Sequence, residues 1–272
     1  MNKLVKHIIA TLLLVSLTLF TFSCSSKNAE ITDNTSDVSS KHQTENTELD
    51  QNENSANPFS NITISCIGNS HTAATGVDRP YPIVVKNTLG LKEAYNYGIG
   101  WSTIASIPDC HCHADATYEY DHYPYVFRYS DIEESDIIIV QVSGGNDWGC
   151  LVPLGTIDDN VPTTYYGALN IVIEGLKTEF PNSYIMFING FDAYADTGSE
   201  SDAKNRNGEY YRDFQEAVIL ACEKHNVDCL DIYHNLPFDK ETDTLDGTHP
   251  TQEYIDNVWA PMIADFIKEN YN

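Results

Sequence analysis

The sequence predicts an α/β protein, a three-layer doubly wound sandwich around a mainly parallel central sheet. Short β-branched runs alternate with segments whose apolar residues recur at spacings of three and four, and polar loops of chemically useful composition follow the runs. The order strand, helix, strand, helix feeds a parallel sheet with helices on both faces. In such sheets function collects at the carboxyl ends of the strands.

Residues 1–23 come first and have the layout of an export signal. Lys3 and Lys6 precede an uncharged apolar run from Ile8 to Phe22. That run is about fifteen residues, short of the roughly 20 that span a bilayer. Cys24 follows Ser23 and precedes Ser25, Ser26 and Lys27, which resembles the lipobox of bacterial lipoproteins, with Thr21 where Leu is usual. The resemblance implies that Cys24 is lipidated and becomes the mature N-terminus, giving an exported, extracytoplasmic protein anchored to the cell membrane. Residues 24–60 then read as a disordered polar tether, whose apolar content is confined to Ala29, Ile31, Val38, Leu49, Ala56 and Phe59. Such a segment cannot bury enough surface to fold. As a coil it spans roughly 33 Å.

One domain is expected over 61–272. Strands are predicted at Asn61–Ile67, Asp136–Val142, Tyr184–Asn189 and Asp228–Ile232. A helix is predicted from the stripe Tyr166, Leu169, Ile173, Leu176 and Phe180, and another from Ile255, Trp259, Met262 and Phe266.

Charge excludes one class of partner. The 272 residues carry 40 acids against 15 Lys and Arg, for a net charge of -25, and 33 of the acids follow Ser60. An acidic domain without a basic cluster is repelled by nucleic-acid phosphates and equally by anionic lipid, so no nucleic-acid partner is expected and any hold on the membrane must come from the anchor.

Three loops carry chemistry. Gly68-Asn69-Ser70-His71 follows the first predicted strand, Ser143-Gly144-Gly145-Asn146-Asp147-Trp148 follows the second, and Asp246-Gly247-Thr248-His249-Pro250 precedes the last helix. Each alone reads as a turn or a helix cap. Together they reach one edge of a doubly wound sheet and supply a hydroxyl, a base and a group to orient that base, which is what nucleophilic acyl transfer needs. With Asp246 three residues before His249, the carboxylate can reach the imidazole within one tight loop.

With these motifs the chain resembles the SGNH (GDSL-like) hydrolase superfamily, whose flavodoxin-like fold agrees with the predicted sandwich. The first block is Gly68-Asn69-Ser70, with Asn69 where Asp is commoner; the third is Gly144-Gly145-Asn146-Asp147; the fifth is Asp246 to Pro250. The resemblance implies Ser70 as nucleophile, His249 as general base and then acid, and Asp246 as its partner. It also implies an oxyanion hole built from the Ser70 backbone N–H, the Asn146 side chain and a donor from the second block. That block, Asn96-Tyr97-Gly98-Ile99-Gly100-Trp101-Ser102, departs from the pattern by placing Trp101 where the family's glycine aligns without a gap. Either Gly100 shifts into the role or Trp101 donates its own N–H; Gly100 is preferred here. His71, Trp101, Asp147 and Trp148 are candidates for the substrate pocket, with His71 facing solvent as the alternative.

Besides Cys24 the chain holds Cys66, Cys110, Cys112, Cys150, Cys222 and Cys229. In an exported protein these point to disulfides, with fifteen connectivities open. Cys222 and Cys229 are spaced for a short bridge, and Cys66 suits a buried thiol. Cys110-His111-Cys112-His113 with His122 has zinc's ligand types, but adjacent residues rarely close one tetrahedral site, so no metal or cofactor is expected. The stretch 109–125 reads as an insertion over the site. The function expected is a surface-tethered serine esterase acting on small acyl esters, acetyl foremost, of carbohydrate or a small molecule. A lipase or lysophospholipase is the alternative, as is a non-catalytic carbohydrate-binding lipoprotein.

Overall fold

The computed structural model describes residues 57–107, 123–192 and 203–271. Signal segment, Cys24, most of the tether, and the Cys110–His113 and His122 group lie outside the described residues.

In chain order the elements are β1 (Thr63–Gly68), α1 (Ser70–Ala73), α2 (Tyr81–Leu89), β2 (Glu93–Gly98), β3 (Ile137–Gln141), α3 (Gly145–Gly149), α4 (Tyr165–Glu179), β4 (Tyr184–Ile188), α5 (Tyr211–His225), β5 (Asp228–Leu230), α6 (Ile232–Asn235), α7 (Lys240–Asp243), α8 (Gln252–Tyr254) and α9 (Ala260–Asn270). The sheet has five strands in the order β2-β1-β3-β4-β5, and every described pairing is parallel. The strand order reverses between β1 and β3, which opens a crevice at their carboxyl ends.

Alternation along the strands divides the core into two layers. Ile138, Val140 and Phe187 point to the layer covered by α4 and α5, while Ile137, Ile139 and Met186 point to the layer covered by α2 and α9. On α4 the residues Leu169, Val172, Ile173 and Leu176 are fully buried, each worth about 1.5–3 kcal/mol. Thr164 caps that helix by accepting from Gly167 N–H.

The sequence reading needs four corrections here. It missed β2, an edge strand whose half-exposed residues form no apolar run. Strand β5 stops at Leu230 because Asp231 instead caps α6, accepting from His234 N–H. The folded unit begins before Asn61: the Asn57 side chain donates to the Leu89 carbonyl at 2.7 Å, and Phe59 packs on the core. In the last helix a π-helical turn at Ile255–Trp259 inserts an extra residue. The buried stripe therefore continues through Ile263 and Ile267, leaving Met262 and Phe266 only partly covered.

Candidate active site

β1 delivers Ser70 to the crevice. Asn69 caps the short helix α1, its Oδ1 accepting from His71 N–H at 3.1 Å, and its Nδ2 donates to Ser143 Oγ at 2.5 Å, joining the loops after β1 and β3. Gly68 is required by closeness: a Cβ there would lie 1.8 Å from Thr72 Oγ1. Its carbonyl accepts from Ile99 N–H at 3.0 Å and from Arg128 Nη2 at 2.8 Å. Arg128 is buried, with Nη1 on the Tyr97 carbonyl at 2.7 Å and Nε on the Tyr123 carbonyl at 3.0 Å. Burial pulls its pKa below the usual guanidinium value. The carbonyls at the ends of β1 and β2 are thus held by one desolvated cation.

β3 delivers Asn146. Gly144 opens α3 in the left-handed region, φ 66°, which glycine adopts without strain. Asn146 Nδ2 donates one hydrogen to the Ser102 carbonyl at 3.0 Å, leaving its second to face the crevice. Two of the pocket candidates turn elsewhere, because successive residues of a helical turn point about 100° apart. Asp147 is buried with its carboxylate on Ile104 N–H (3.1 Å) and Ala105 N–H (3.0 Å). Trp148 donates from Nε1 to the Glu209 carbonyl at 2.9 Å and meets Tyr211 edge-on at 5.7 Å. Neither lines the cavity at Ser70, so their assignment to the pocket wall is corrected.

The second-block loop leaves both Gly100 and Trp101 outside the lining of the cavity at Ser70. The left-handed conformation falls on Trp101, φ 62°, and not on Gly100. Trp101 therefore has glycine's conformation at the position where the family's glycine aligns. The residue is 53% exposed.

The turn at 246–249 holds the acid and base together. Asp246 Oδ1 accepts from Thr248 N–H (3.0 Å) and His249 N–H (2.8 Å), and its Oδ2 lies 2.7 Å from His249 Nδ1. Burial raises the Asp246 pKa, but these hydrogen bonds from His249 and Thr248 outweigh it and leave the carboxyl below its usual value. An ionised carboxylate only accepts, so His249 carries hydrogen on Nδ1 and presents Nε2 as the free base. The turn is closed by Leu245 N–H on the His249 carbonyl at 2.8 Å and by Gly247 N–H on Thr244 Oγ1 at 2.7 Å.

These loops meet at a cavity of about 40 Å³. Ser70, His71, Asn146 and Thr248 line it, and so do Ser143, Phe191 and Tyr211, which the sequence reading missed. Phe191 lies just past β4, where the strand-end rule could have found it. Tyr211 is recognisable only in the fold, where its hydroxyl shares its one hydrogen between the Ser143 (3.1 Å) and Phe191 (3.0 Å) carbonyls. His71 is 7% exposed, which excludes the solvent-facing alternative. A larger groove of about 350 Å³, lined by Phe180, Tyr184 and Asp228, lies at the opposite strand ends and holds none of the candidate residues. Among the described residues no group of three or more His, Cys, Asp or Glu is arranged to hold a metal. Nor is any described helix long and apolar enough to cross a membrane.

Comparison with known proteins bears on the family and the fold. Residues 66–253 match the GDSL-like lipase/acylhydrolase family. A solved structure from Lactobacillus plantarum is 25% identical with a TM-score of 0.65, covering 78% of this chain and 99% of its own. One from Chitinophaga pinensis, described as a possible lipase, is 20% identical with a TM-score of 0.58, covering 76% of this chain and 98% of its own. No curated protein matches. Ser70 and Asn146 line the cavity at the β1/β3 crevice and the carboxylate-oriented His249 lies next to Thr248 on the adjoining turn; the family match over most of the folded unit makes this chain a member of the GDSL-like lipase/acylhydrolase family and an ester hydrolase of the SGNH superfamily.

Proposed function

We propose that the protein is a serine esterase that removes small acyl groups, acetyl foremost, from carbohydrate. The observation that carries this reading is the Asp246–His249 pair, 2.7 Å apart, on the turn whose Thr248 shares a cavity of only about 40 Å³ with Ser70. In the reaction His249 Nε2 takes the Ser70 hydroxyl proton as Oγ attacks the ester carbonyl. The oxyanion is met by the Ser70 N–H, the free hydrogen of Asn146 Nδ2 and a backbone N–H from Gly100 or Trp101. His249 then returns the proton to the leaving alcohol, and water repeats the cycle on the acyl-enzyme. Phe191 and Tyr211 wall the cavity closely, which favours a two-carbon acyl group over a fatty chain. Trp101, 53% exposed on the second-block loop, is an aromatic residue that a sugar can contact.

We also propose, from the lipobox-like sequence at Cys24 and the polar segment after it, that the enzyme lies outside the cytoplasm, held to the membrane by a lipid on Cys24 and spaced from it by that segment. Replacing Cys24 with Ala should move the protein from the membrane to the soluble fraction; an unchanged distribution rejects the anchor.

Fluorophosphonate labelling tests the nucleophile, with a single adduct expected on Ser70 and none in Ser70→Ala. A folded wild type that resists labelling would sink the assignment. Acetate release from acetylated polysaccharides, measured beside short and long nitrophenyl esters, tests the substrate. Faster turnover of long chains would replace this reading with a lipase.

A further inference from the structure

The residue after the nucleophile has a place of its own in this site. His71 Nε2 lies 3.0 Å from the Thr248 carbonyl oxygen. A carbonyl can only accept, so Nε2 carries the hydrogen and donates it. The ring also meets three others edge-on: His249 at 5.7 Å, Phe191 at 5.5 Å and Trp259 at 6.4 Å. The turn's own hydrogen bonds are local, from Leu245 to His249, from Gly247 to Thr244, and from Thr248 and His249 to Asp246. Among the described residues, the bond from His71 is the one that ties this turn to the helix that begins with Ser70.

We propose that His71 is a positioning residue: its Nε2–H latches the Thr248 carbonyl and so seats the Asp246–His249 turn over Ser70, while its ring edge fixes the tilt of the His249 imidazole. The proposal rests on the esterase reading and adds a role for a residue outside the triad and the oxyanion hole.

The electrostatics fit a latch that stays uncharged. Burial first, and then the neighbouring His249, lower the His71 pKa to about 4, against the opposite pull of the Thr248 carbonyl and Asp246. The groups facing the ring are His249, Thr248 and Asp246 from the turn, Phe191 beyond β4 and Trp259 from the π-helical turn. In the neutral range His71 therefore holds one proton, on Nε2, while Nδ1 is buried without a partner. An uncharged neighbour does not oppose the imidazolium that forms on His249 during turnover. A histidine one residue from the nucleophile can thus help the base without titrating beside it.

Two substitutions separate the donor from the shape. His71→Gln keeps an N–H at comparable reach, whereas His71→Met keeps similar volume and removes the donor. Loosening the turn by a fraction of an ångström should lower kcat for a short nitrophenyl ester about 10- to 100-fold in His71→Met, with little change in KM. The rate of Ser70 labelling should fall in parallel, and His71→Gln should recover most of both. Melting temperatures of the two variants should be similar, so a purely structural role cannot produce the split. Full kcat and labelling in His71→Met, or equal losses in both variants, would overturn the latch while leaving the esterase reading intact. A wild type that neither labels nor hydrolyses esters would instead overturn that reading. Should His71→Met fail to fold, nitrogen NMR of the wild type decides. A neutral, Nε2-protonated His71 at neutral pH is expected, and protonation on Nδ1 rejects the proposal.

Discussion

Asn69 Nδ2 and Ser143 Oγ are 2.5 Å apart, so the loops that follow β1 and β3 are joined side chain to side chain across the reversal in strand order. The amide donates in this bond, and the other end of the same side chain caps α1. Asn69→Ala loses both functions and should cost about 1–2 kcal/mol. Asn69→Asp keeps the cap, and Ser143 can reverse its hydroxyl to donate, so its loss should be smaller. Chemical denaturation of the three proteins checks the order; an alanine variant as stable as wild type would contradict the double role.

Asn146 has one amide hydrogen committed to the Ser102 carbonyl and one left over. Used only as charge develops on the oxyanion, that second hydrogen should show itself in kcat and not in KM. Asn146→Ala is expected to reduce kcat about 100- to 1000-fold. A change confined to KM would assign Asn146 to substrate binding.

Asp147 should give the protein an unusual pH dependence. Burial raises its pKa to about 7, against the pull of the two backbone N–H groups it accepts from. A carboxyl whose folded pKa lies above its unfolded value of about 3.9 binds its proton more tightly when folded. Its contribution to stability is therefore full below that unfolded value and is lost as pH rises through about 7. Between about pH 5 and about pH 8 the melting temperature of wild type should fall relative to that of Asp147→Asn. Parallel curves would show the carboxyl to be ionised throughout.

Cys222 near the end of α5 faces Cys229 in β5, and the proximity of that second sulfur together with burial drives the Cys222 pKa upward. Both are free thiols in the structure. In an oxidising compartment, or with a diazene-dicarboxamide oxidant, the pair is expected to lose two hydrogens to the oxidant and form one disulfide, adding about 2–3 kcal/mol. Peptide mapping before and after reduction reads the bond directly, and recovery of both cysteines as free thiols from the exported protein would refute it. Cys66 should stay unmodified, since burial raises its pKa strongly beside Tyr81.

Much of this architecture was legible because its signals are local. The runs leading into Ser70 and Ser143 are apolar and β-branched, and Asp246 and His249 sit within one motif, so contiguous residues carried the information. β2 was not legible, since an edge strand with half-exposed residues has no hydrophobic contrast. Arg128 and Tyr211 reach the site from distant segments, and no pattern near them announces where they dock. Asp147 and Trp148 misled because adjacency in sequence was read as adjacency in the pocket, whereas the helical turn of α3 points them inward and sideways.

Because Asp246 and His249 share one self-closed turn, the hydrogen bond between them forms a cartridge closed within four residues, with His71 seating it from outside. The long excursions between β2 and β3 and between β4 and α5 can lengthen, shorten or change composition without uncoupling the proton acceptor from the carboxylate that orients it. Selection on substrate can act on those excursions while the proton-transfer unit is inherited whole.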